Sequence, residues 1–142
     1  MPKQTQKSPR GQALLEFALT ITVLLLLVGG IVDVARMYFA YQTVSEAAHE
    51  GAIYGSLHAG DDAGIVSRVT KSSQVMEDAA SSGNVAVDIT YDTAACANGT
   101  NVIKVKVTFD MALHMPVTMA MFGDSLPISA TEQAVILQPS CP

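Results

Sequence analysis

Three histidines and two cysteines are the residues of this 142-residue sequence best suited to chemistry, and their spacing argues against most of it. His49-Glu50 begins as a zinc-protease helix does, but Ile53 stands where the second histidine would lie one helical turn on. His58, Asp61 and Asp62 supply metal-ligand types close together; in a polar loop they are expected to be solvated, with no metal or cofactor implied. His114 is isolated among apolar residues. No serine lies in a nucleophile motif, and no glycine-rich loop is present to cradle a phosphate. The sequence therefore offers no catalytic residues, and an enzyme is not expected. Cys96 and Cys141 are too few for a zinc ribbon. An oxidising compartment would let them pair, tying the C-terminus to a hairpin loop; two free thiols are the alternative.

The residue that most needs explaining is a carboxylate. From Ala13 to Val32 the chain reads ALLEFALTITVLLLLVGGIV, with Glu16 its only charge. Twenty helical residues span roughly 30 Å, the thickness of a bilayer core. A carboxylate in such a span costs roughly 2.5–3.5 kcal/mol at its centre and less near its end, so it ordinarily has a partner or a function. The chain is 49% hydrophobic and only 15% charged, against about 25% charged in a typical soluble domain. Its excess apolar residues are aliphatic and concentrated in this stretch.

Charge is distributed to match. Residues 1–10 hold Lys3, Lys7 and Arg10 and no acid, while residues 33–142 hold five basic and twelve acidic side chains. The positive-inside rule then places the N-terminus in the cytoplasm and the C-terminal part outside. Tyr38, Phe39 and Tyr41 follow the stretch where amphipathic rings favour headgroups. A net charge of −5 without a basic face argues against nucleic acid as a partner. A cleaved secretory signal is the competing reading, but the apolar run exceeds the usual core of roughly 7–15 residues, and no small-x-small site follows it directly.

Arg10-Gly11-Gln12-Ala13-Leu14-Leu15-Glu16-Phe17 places a glycine after a basic leader, then four uncharged residues, a glutamate and an aromatic. This resembles the processing site of prepilins and pseudopilins. The resemblance implies that a prepilin peptidase cuts between Gly11 and Gln12, and that Glu16, with Phe17 beside it, makes an assembly contact with the N-terminal amine of a neighbouring subunit. Asp33-Val34-Ala35-Arg36-Met37-Tyr38-Phe39-Ala40-Tyr41-Gln42, followed by Glu46-Ala47-Ala48-His49-Glu50-Gly51-Ala52, resembles the TadE-like family of tight-adherence (Flp) pilus systems. That resemblance implies a minor pseudopilin of the bacterial cytoplasmic membrane. Its expected partners are inner-membrane lipid, prepilin peptidase, other pilin or pseudopilin subunits and the pilus assembly machinery. The alternative is a single-pass, membrane-anchored binding domain unrelated to pili.

Four segments are expected: a basic leader, 1–11; the membrane-spanning part of one long helix, 12–32; its amphipathic continuation, 33–58; and an extracytoplasmic α+β domain, 59–142. The continuation places Val34, Met37, Tyr38, Tyr41, Val44, Ala48 and Ala52 near one face, with Asp33, Arg36, Thr43, Glu46 and Glu50 mostly opposite. Ala40, Ala47, Ala48, Gly51, Ala52 and Gly55 are small enough for another helix or a sheet to pack closely, and Gly29-Gly30 is a bend or a close approach. A second helix is predicted over 62–81, then strands over 85–92 and 102–109, and a third over 127–137. The fold class is α+β, a long N-terminal helix with a second helix packed on a small antiparallel sheet. Residues 111–122 carry four methionines and read either as ordinary core or as a surface for a partner or membrane.

Overall fold

The computed structural model describes residues 9–92 and 101–137. Helix α1 runs unbroken from Pro9 to Leu57, 49 residues. At 1.5 Å per residue it is about 70 Å long. Helices α2 (Asp62–Thr70) and α3 (Gln74–Ser81) follow, then strand β1 (Val85–Asp92), strand β2 (Val102–Ala112), a short helix α4 (Pro116–Phe122) and strand β3 (Ser125–Val135). The three strands form an antiparallel meander in the order β1-β2-β3. The arrangement is the α+β architecture expected from the sequence.

Alternation decides which face of the sheet is covered. Ile103, Val105, Val107 and Met111 of β2 and Ile128 and Ala130 of β3 are buried. Val85, Val87, Ile89 and Tyr91 of β1 pack beside them. The other face is polar, with Asp88 directly opposite Lys106 and Lys104 opposite Gln133. The C-terminal half of α1 fills the apolar face through Ala40, Val44, Ala47, Ala48 and Ala52. Neither α1 nor the sheet could bury its apolar face alone.

Closeness of approach is set by glycine. A Cβ at Gly51 would lie 2.6 Å from Cγ2 of Val69 and 3.3 Å from Cγ1 of Val105, and one at Gly55 would collide with Cδ1 of Ile103. The helix face in contact with the sheet is therefore the small-residue face. Val34, Tyr38 and Tyr41, expected to share the packed face, are exposed, and Asp33, expected opposite, is buried. Val44, Ala48 and Ala52 of the expected face are buried together with the small residues Ala40 and Ala47, so the packed face is the expected one turned toward the side of α1 that can be approached most closely.

The helix predicted over 62–81 is two helices. Asp61 caps α2 by accepting from the Gly64 amide, and Ser73 caps α3 by accepting from the Met76 amide. Between them Ser72 Oγ donates to the Val69 carbonyl. Serine side chains offer the backbone these alternative bonds, which is why the pair Ser72-Ser73 ends one helix and starts the next. The last strand occupies 125–135 rather than 127–137, and β2 continues three residues beyond Phe109, pairing Ala112 with Ser125. Cys96 and Cys141 lie outside the described residues, so their pairing does too, as do residues 1–8 of the expected leader.

Candidate functional site: the exposed half of the N-terminal helix

From Gly11 to Val28 every residue of α1 is exposed. Leu14, Leu15, Phe17, Leu25 and Leu27 are each more than 60% exposed. Water would penalise so much contiguous apolar surface at roughly 25 cal/mol per Å², far beyond what a monomeric soluble domain leaves uncovered. An 18-residue window here has a mean hydropathy of 2.4, and α1 is the one described helix long and apolar enough to cross a membrane. Its hydroxyls suit such a setting: Thr20 Oγ1 donates to the Glu16 carbonyl and Thr22 Oγ1 to the Ala18 carbonyl, each at 2.8 Å. These bonds leave neither O–H without an acceptor in an apolar medium.

The residues expected at the processing site and the assembly contact lie on this half. Gly11, Gln12, Glu16 and Phe17 occupy the first turns of α1 and are exposed. Gln12 and Glu16 are four apart, hence neighbours on one helix face. No described side chain pairs with the Glu16 carboxylate. A Cβ at Gly11 would have nothing within 4 Å, so nothing in the fold requires glycine there.

Where α1 leaves its apolar stretch, the β2–β3 connection folds back on it. Met115 lies against Gly29, where a Cβ would come within 3.1 Å of its Sδ and Cε. At Gly29 the close approach is that of a side chain rather than of a helix, and a Cβ at Gly30 would have nothing within 4 Å. Thr118 Oγ1 donates to Oδ2 of the buried Asp33 at 2.7 Å. Arg36 Nη1 lies 2.9 Å from Nδ1 of His114, donating to it. The sequence gives no local sign of these pairs, whose members are 85 and 78 residues apart. The methionine-rich segment divides accordingly: Met111 and Leu113 are core, while Met121 and Phe122 are exposed.

His58, Asp61 and Asp62 lie at the far end of α1, where they brace the turn into α2. His58 stacks on Tyr54 with ring centroids 4.5 Å apart, and Arg68 lies over the same ring. Tyr54 Oη donates to Asp61 at 2.8 Å, Asp61 accepts from the Gly64 amide at 3.0 Å, and Tyr91 donates to Asp62. A shallow depression of about 320 Å³ lies beside Tyr54, His58 and Arg68. Among the described residues no three His, Cys, Asp or Glu side chains form a metal-sized group.

These bonds shift titrations. The hydrogen bond from Tyr54, then that from the Gly64 amide, holds Asp61 below its ordinary 3.8, and the same carboxylate raises Tyr54 above 10.0. Burial, followed by the bond to Asp62, raises Tyr91. A carboxyl with a depressed folded pKa stabilises the fold above its unfolded value and loses that contribution as pH falls through the folded one. Asp61→Asn keeps an amide-accepting cap but removes the charge. Melting temperatures measured from pH 6 downward should show the wild type's advantage over this variant shrinking below about pH 4. A constant difference would contradict the assignment.

Comparison with known proteins bears on the N-terminal segment. The family model of TadE-like proteins matches residues 11–52. Over these residues the chain is similar to TadE-like proteins. The match begins at Gly11, runs through the exposed apolar half of α1 and ends within the sheet-packed half. The TadE-like family is associated with the tight-adherence pilus. No curated protein and no solved structure matches the chain.

Proposed function

We propose that this TadE-like protein is a minor-pseudopilin-type structural subunit of a tight-adherence pilus system. The observation that carries the reading is the exposed apolar half of α1 with one lone carboxylate near its start, continuous with a half that is locked under a folded domain. In this reading residues 12–32 span the cytoplasmic membrane with the N-terminus inside, and the domain from residue 59 onward is outside. Prepilin peptidase removes residues 1–11, working at the cytoplasmic face. Glycine in the first turn weakens the helix there and lets the backbone approach the protease's carboxylates closely.

Cleavage gives Gln12 a free α-amino group, charged at neutral pH by its reference value of about 7.7–8.0. Glu16 then has a partner of opposite sign on an adjoining subunit. Pairing converts a carboxylate that is costly in lipid into a contact fixing the axial register of neighbouring helices. Phe17, 64% exposed, packs at the same contact.

Glu16→Gln tests this directly. The variant should be cleaved and inserted normally, since insertion favours the neutral side chain, yet its recovery with sheared pilus fractions, or the pilus number it supports, should fall on the order of ten-fold for about 1.4 kcal/mol of lost pairing. Unchanged piliation with Glu16→Gln would remove Glu16 from the assembly contact.

A further inference from the structure

We infer that α4 is an interfacial helix that rests the outer domain on the lipid surface, with Met121 and Phe122 inserted at the boundary between headgroups and acyl chains. The inference rests on the reading of α1 as membrane-spanning and adds a second point of lipid contact.

Depth is the first argument. The apolar run ends at Val32, and α4 is docked on the turns that flank this end: Met115 on Gly29, one turn inside it, and Thr118 on Asp33, one residue beyond. A helix fixed at that level of α1 cannot stand clear of a bilayer that covers residues 12–32. The second argument is surface chemistry. Met121 is 72% exposed, Phe122 56% and Met119 36%, so α4, like the apolar half of α1, presents apolar side chains to its surroundings. From Met111 to Phe122 there is no Asp, Glu, Lys or Arg. Aromatic rings and flexible thioethers suit the interfacial region.

The third argument is the polar collar. The buried Asp33 is satisfied by Thr118, and Arg36 by His114, so the groups at the end of the span are tied to the same connection that presents the apolar side chains. Leu113 donates its amide to the Asp124 carbonyl and closes the connection into a compact excursion from the sheet. Its tip is held in place rather than free to retract. Two attachments, the span and α4, would fix the tilt of the outer domain on the membrane, where one continuous helix alone leaves it free to rotate about its own axis.

The sequence has no tryptophan, so a single introduced one reports without interference. The full-length protein would be reconstituted in vesicles of phosphatidylcholine and phosphatidylglycerol carrying a quencher either near the headgroup or near the acyl terminus. Phe122→Trp should lose emission chiefly to the shallow quencher, Leu25→Trp chiefly to the deep one, and Val66→Trp on α2 to neither. Met121→Trp repeats the α4 measurement at an independent position. If Leu25→Trp is quenched and both α4 reporters are not, α4 stands off the membrane and the inference fails alone. Should all reporters escape quenching, the span itself is wrong and the inference falls with it. Blue-shifted α4 emission without lipid quenching would mean that protein, such as a second copy of this chain, covers the helix, and would overturn it as well.

Discussion

Gly51→Leu is expected to undock α2 and the sheet from α1. The first atom of the new side chain already meets Val69 and Val105 at 2.6 and 3.3 Å, with Ile65 at 3.6 Å, and all three neighbours are fully buried. Valine is stiff about χ1, so its methyl groups cannot swing aside as the end of a longer chain would. Extra methylenes in a packed core cost about 1–3 kcal/mol, and a whole isobutyl group belongs at or above the upper end. A domain with ~5–15 kcal/mol in hand, and a small core, does not absorb that comfortably. Gly51→Ala is milder, because a gain of about 1 kcal/mol in helix propensity offsets part of the overlap. Gly30→Ala meets nothing within 4 Å and should cost nothing. Thermal unfolding in micelles should therefore rank Gly30→Ala at or above the wild type, then Gly51→Ala, then Gly51→Leu several degrees or more below. A Gly51→Leu protein that melts with the wild type would contradict the close packing of α2 and β2 on α1.

Gly11→Leu carries the opposite combination of effects. Among the described residues nothing lies within 4 Å of a Cβ at position 11, and leucine is a better helix former than glycine by most of 1 kcal/mol. The variant's outer domain should melt as the wild type does. Its processing should nevertheless fail, because a side chain at the scissile bond displaces the backbone from the peptidase's catalytic groups. A misplacement of ~1 Å is enough for on the order of 100-fold in rate. Immunoblots of membranes should show the variant at full length under conditions where the wild type is mature, and pilus assembly should fall with it. Normal maturation of Gly11→Leu would show that this glycine is incidental. The pairing of unchanged stability with lost maturation separates a glycine kept for a protease from one kept for packing, as Gly51 is.

What could be read in the sequence follows from how local each signal is. The apolar run, the continuous helix and the alternation of Val85, Val87 and Ile89 with Ala86, Asp88 and Thr90 are periodic patterns, and each appears in the structure as an element of the expected type. The small residues Ala40, Ala47, Ala48, Gly51 and Ala52, legible as a surface for close packing, are buried as expected, whereas periodicity also places Val34, Tyr38 and Tyr41 in the packed face and these are exposed. The break at Ser72-Ser73 is a capping effect, which apolar spacing does not register. Asp33 with Thr118 and Arg36 with His114 depend on the β2–β3 connection returning to α1, a tertiary event no window of sequence contains. On the candidate site, the positions of Gly11, Gln12 and Glu16 on an exposed helical surface were legible, since they depend only on α1 being a helix. In the proposed reading their partners belong to other molecules.

The most direct test of the central claim is the intact mass and N-terminal sequence of the protein isolated from its native membrane. A chain that begins at Gln12, lighter than the full 14.9 kDa by the mass of residues 1–11, is the expected result. It would establish prepilin-type processing with retention of the apolar helix. A chain that keeps residues 1–11 would reduce the protein to a plain anchor, and one beginning beyond Val32 would make it a secreted domain. Either would contradict the pseudopilin account.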